Sequence, residues 1–110
     1  SLHNQSHGES FMAIMKNRFS GHGLYILDEP EAALSPSRQM AMLALMKNLA
    51  DQDSQFIIST HSPILMAYPD AEIIELDETG FRSTPYKETS HYRLTNYFLN
   101  NTDQMLKELM

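Results

Sequence analysis

Apolar residues arrive along this chain in two rhythms. Leu24-Tyr25-Ile26-Leu27 and Phe56-Ile57-Ile58 are unbroken runs, too short for helices. Such runs predict strands buried on both faces, because a half-exposed strand alternates. Elsewhere the spacing is helical. Phe11, Ile14, Met15 and Phe19 predict a helix over 9–19, and Met42, Leu45, Met46 and Leu49 a second one. Ser35-Pro36 opens that second helix, with Ser as N-cap and Pro in the first turn. A polar break at Asp51–Ser54 separates it from the strand at 55–60. Ser62-Pro63 predicts a short helix ending near Pro69. Residues 71–76 predict a third strand, joined through a turn at Asp77–Gly80 to a short fourth strand at 80–84. Two helices over 90–100 and 102–109 follow, broken at Asn100-Asn101. Alternating strands and helices predict an α/β fold with a mostly parallel sheet flanked by helices.

Composition narrows the class. The 110 residues, 42% hydrophobic, suit one domain or part of one. The net charge of −6 argues against a nucleic-acid clamp built from this chain alone, so nucleic acid is possible but not indicated. With no cysteine there are neither disulfides nor thiolate metal sites. No run reaches the roughly 20 apolar residues needed to span a bilayer, and the expectation is a cytoplasmic protein.

The candidate chemistry lies at strand ends. Asp28 and Glu29 close the first strand, just before Pro30. Open α/β sheets place their sites at that end of the strands. Neighbouring side chains point differently, so one carboxylate can hold a hard cation while the other handles a water. Thr60-His61-Ser62-Pro63 directly follows the second strand. If the two strands pair in parallel, His61 and Glu29 reach the same edge, where an imidazole can meet a phosphate oxygen or the attacking water. Ahead of the first helix, Ser6-His7-Gly8-Glu9 has capping-box spacing, and the same amides and serine hydroxyl suit an anion.

In this order the three features resemble the C-terminal half of an ABC-type ATPase head. The nearest branch is soluble and non-transporting, with bacterial AAA-family ATPases and relatives in chromosome maintenance and DNA repair. The resemblance sets Ser6, His7, Gly8 and Glu9 where that family carries Ser-Gly-Gly-Gln, departing at His7 and Glu9. Tyr25–Glu29 is similar to the Walker B strand, which implies that Asp28 binds Mg²⁺ through water and Glu29 is the general base. Glu31–Ser35 is similar to the D-loop, with Ser35 at its usually acidic end, and His61 to the switch histidine that senses the γ-phosphate. The implied organisation is one partial domain over 1–110: signature motif and helix at 1–23, Walker B to switch histidine at 24–76, hairpin and helices at 77–110.

None of the four glycines begins a G-x-x-x-x-G-K-[ST] loop. Nothing here cradles the β-phosphate or supplies its lysine. The expectation is a C-terminal fragment of a longer ATPase, inactive alone, that needs an N-terminal P-loop half to use ATP and Mg²⁺. In the family the signature motif of one subunit caps the nucleotide of the other, which implies an ATP-dependent homodimer of the parent. With the P-loop strand missing, the family order predicts that the third strand slides in to pair with the second, that two chains complete each other, or that the fragment associates through the bare edge. Two other classes compete. One is a metal-dependent nuclease or phosphohydrolase with Asp28, Glu29 and His61 as direct ligands. The other is a degenerate scaffold.

Overall fold

The two apolar runs form neighbouring strands. In the computed structural model, which describes residues 22–110, β1 (Leu24–Asp28) and β2 (Gln55–Ser59) pair in parallel. Their register sets Leu24 opposite Gln55 and Asp28 opposite Ser59. The pair is pinned at its start by Gln55 N–H donating to the Gly23 carbonyl (2.8 Å) and His22 N–H to that of Gln52 (2.8 Å). It is extended at its end by Glu29 N–H donating to the Ser59 carbonyl at 2.7 Å.

Helix α1 (Pro36–Ala50) connects the strands and packs against β2. Parallel neighbours need such a crossover. Ser35 caps it, its Oγ accepting from Arg38 N–H at 3.3 Å, with Pro36 in the first turn. One face buries Gln39, Met42, Met46 and Leu49. Met42 has no exposed surface at all.

The chain divides into two compact units, the first ending at Leu65 and the second spanning Met66–Met110. In the second, β3 (Ile74–Asp77) and β4 (Gly80–Ser83) form an antiparallel hairpin. Asp77 Oδ1 accepts from Thr79 N–H at 2.8 Å, and Gly80 closes the turn at φ 113°. Helices α2 (Ser90–Asn100) and α3 (Thr102–Leu109) follow. The N-terminus of α2 is satisfied twice: Thr89 Oγ1 accepts from Tyr92 N–H, and Glu75 Oε2 accepts from Ser90 N–H at 3.0 Å.

The result is a mixed α/β arrangement with a parallel strand pair and helices, the layout of a partial P-loop ATPase-like fold. Several local expectations change. The strands are not covered on both faces. They alternate, with Ile26 72% and Ile57 52% exposed and Tyr25, Leu27, Phe56 and Ile58 half-buried. Among the described residues α1 is the helix that packs on this pair, and none of them covers the face that carries Ile26 and Ile57. The third strand starts later than expected. It begins at Ile74, after the left-handed Asp70 turn, and takes β4 as partner. A two-residue loop makes that pairing local, with little chain to close. The helix expected after Ser62-Pro63 shrinks to a 3-10 turn at Leu65–Ala67. The helix expected over 9–19 lies outside the described residues.

Candidate functional site at the strand ends

Parallel pairing in register carries the ends of β1 and β2 to one rim. Asp28 stands opposite Ser59, and both chains then turn sharply. After β1, Pro30–Ala33 forms a 3-10 turn with Glu29 as its N-cap. Glu29 is left-handed there (φ 46°, ψ 54°). A residue with a Cβ pays about 1–2 kcal/mol for that conformation. Glycine would adopt it freely, so Glu29 holds this conformation at a cost, as do His22, Asp53 and Asp70 elsewhere.

His61 Nδ1 lies 2.9 Å from Glu29 Oε1. The two side chains are 66% and 49% exposed. Exposed ion pairs contribute about 0–1 kcal/mol, so this contact does little for the fold. Its content is placement: an acid–base pair at the end of a parallel strand pair.

Glu31 completes the rim. Its Oε1 accepts from Thr60 Oγ1 at 2.7 Å and its Oε2 from His61 N–H at 2.9 Å. Burial works to raise the Glu31 pKa, but the hydrogen bonds from Thr60 and from the His61 amide, with the nearby imidazole, outweigh it. The carboxyl is held below its ordinary value. Beneath the same turn lies a small buried network. Ser62 Oγ donates to Gln39 Oε1 and accepts from the amides of Ile64 and Leu65, both at 3.1 Å. Gln39 Nε2 donates to the Leu34 carbonyl at 3.1 Å. Buried polar groups satisfied in this way fix a single arrangement.

Of the residues singled out in the sequence, Glu29 and His61 come into contact. Asp28 lies beside them on the backbone, exposed, and no hydrogen bond or ion pair engages its carboxylate among the described residues. A solvated carboxylate at a strand end is the kind of donor that a hard cation takes through its waters. Ser6, His7, Gly8 and Glu9 lie outside the described residues. Glu31, Gln39 and Ser62 were not expected as parts of the site. Gln39 had left a trace: it is the one polar member of the 39, 42, 46, 49 stripe of α1. The ligand atoms of Glu29, Glu31 and His61 all lie within 4.8 Å of one another. No helix among the described residues is long and apolar enough to cross a membrane.

Comparison with known proteins bears on this geometry. Residues 8–66 match a family described as an AAA ATPase domain. A probable ATPase of retron Vc95 from Vibrio cholerae is 30% identical over 78 residues, which is 70% of this chain and 15% of that protein. An uncharacterised ABC transporter ATP-binding protein from Haemophilus influenzae is 33% identical over 82 residues, 73% of this chain and 31% of that protein. The chain therefore corresponds to less than a third of either relative's length.

Proposed function

The chain belongs to the AAA ATPase domain family, and from that premise we propose that its first unit carries the water-activating side of a composite ATP site. The observation that supports this best is the Glu29–His61 contact at 2.9 Å on the C-terminal rim of the β1–β2 pair.

Glu29 is the general base. Its carboxylate takes a proton from a water whose oxygen attacks the γ-phosphorus. The bond from that phosphorus to the β–γ bridging oxygen breaks, and the bridging oxygen leaves with ADP. His61 holds the γ-phosphate. Of its two ring nitrogens, Nδ1 engages Glu29, which leaves Nε2 for the γ-phosphate side. Asp28 would hold Mg²⁺ through water, and that ion when bound neutralises charge on the β- and γ-phosphates.

The β-phosphate needs a grip that these 110 residues do not encode, since no Walker A loop occurs in them. We assign that grip to an N-terminal P-loop segment of a longer parent, and assign to Ser6–Glu9 of a second copy the capping of the nucleotide. The parent is then a homodimer when ATP is bound, and the 110-residue chain alone does not turn over.

The Glu29–Glu31–His61 cluster favours a second reading, a phosphohydrolase or nuclease with directly ligated metal. Both Glu31 oxygens and His61 Nδ1 already have protein partners, so direct ligation would have to break contacts that the ATPase reading keeps. Mn²⁺ binding without nucleotide separates the two.

The test is Mg²⁺-dependent ATP hydrolysis by the intact parent. Glu29→Gln is expected to lower turnover by about 10²–10⁴-fold, the usual worth of a general base, with ATP binding retained. Undiminished turnover contradicts the assignment.

A further inference from the structure

β2 ends at Ser59, and residues 60–64 belong to no helix or strand. Something must nevertheless fix where His61 sits. Its ring is two-thirds exposed, so burial alone gives it little restraint. The exposed pair with Glu29 is too weak to do so alone. The ladder between the strands supplies one last bond, Glu29 N–H to the Ser59 carbonyl. Beyond that point the side chain of Glu31 takes over. One oxygen receives the Thr60 hydroxyl, the other the His61 amide, and the Thr60 oxygen accepts in turn from Ser62 N–H at 3.0 Å. A single carboxylate thus organises three consecutive residues. Its own place is fixed by the 3-10 turn, in which Ala32 N–H donates to the Glu29 carbonyl (3.1 Å) and Leu34 N–H to that of Glu31 (3.0 Å). The same turn carries Glu29, so base and strut are built on one rigid piece.

We propose that Glu31 is a positioning residue, whose carboxylate clamps the Thr60–Ser62 turn so that the His61 ring meets Glu29. This rests on the ATPase reading above and extends it to a residue whose two carboxylate oxygens are engaged by Thr60 and the His61 amide. Glu31 acts through His61, so its loss falls mainly on the chemical step, with nucleotide affinity carried chiefly by the segment that grips the β-phosphate.

The experiment uses the intact parent with saturating Mg²⁺ and ATP, comparing Glu31→Ala, Thr60→Val, His61→Ala and the Glu31→Ala/His61→Ala double variant. Glu31→Ala lowers kcat by about tenfold or more, as small misplacements of a catalytic group do, with KM for ATP changed by less than about twofold. Thr60→Val, which removes one donor and keeps the shape, lowers kcat in the same direction and covers the case in which Glu31→Ala fails to fold. In the double variant the loss is that of His61→Ala alone. Hydrogen exchange at the His61 amide speeds up in Glu31→Ala. Full kcat in both Glu31→Ala and Thr60→Val, with His61→Ala inactive, overturns the positioning role and leaves the ATPase reading standing. Losses that multiply in the double variant also overturn it, because Glu31 would then act independently of His61. If Glu29→Gln and His61→Ala both keep full turnover, the ATPase reading fails and takes the positioning role with it.

Discussion

Glu29 and Glu31 are separated by one proline and do opposite things. Glu29 is half-exposed in a left-handed conformation and faces an imidazole. Glu31 is turned inward, with both oxygens accepting hydrogen bonds. The difference has a titration consequence. The Glu31 carboxyl is held below its ordinary value of 4.5 in the folded state. A lowered folded pKa means that its contribution is complete above the unfolded pKa and is lost as pH falls through the folded one. The Thr60–Ser62 turn should therefore loosen as acidification carries the pH below the ordinary value of 4.5 and through the lowered one. Urea unfolding followed from about pH 6 downward should show a smaller acid loss in Glu31→Gln than in the wild type. In the core, Met42→Ala should cost about 2–5 kcal/mol, because a fully buried side chain leaves a cavity. Chemical denaturation measures it.

At the scale of elements, the strongest sequence signals were those with local causes. The cap at Ser35, the proline after it and the apolar stripe of α1 were legible because each acts within a turn or two. The strand runs and the hairpin turn at Asp77–Gly80 were legible for the same reason. The edge shared by Glu29 and His61 could be read from motif order and the assumption of parallel pairing. What could not be read depended on contacts far apart in the chain. Glu31 reaches Thr60 across 29 residues, and Ser62 reaches Gln39 across 23. Nor could the open face of β1 and β2 be read from their composition, since an apolar run does not say how many sides are covered. Two tests belong here. Ser62→Ala removes the acceptor of two amides and the donor to Gln39, and should destabilise the protein by about 1–3 kcal/mol, the usual cost of stranding buried polar groups. Gly80→Ala meets no atom within 4 Å but inherits φ 113°, so it should cost about 1 kcal/mol or more from backbone strain alone. Thermal unfolding of each variant checks these values.

For the whole molecule, the proposed function divides labour between this chain and a further segment that would grip the triphosphate. Among the described residues, Leu24, Ile26 and Ile57 stand exposed on one face of the strand pair. Two copies of the parent would build the composite site, so ATP should promote dimerisation and Ser6→Arg should abolish it, as read by sedimentation velocity. The central claim, however, is that Glu29 and His61 act as one unit on bound ATP. A single-turnover cycle of Glu29→Gln, His61→Ala and the double variant in the intact parent tests this most directly. The account predicts that each single loss is large and that the double variant is hardly worse than the more damaging single one. Losses that simply multiply, or a His61→Ala rate equal to wild type, would contradict it.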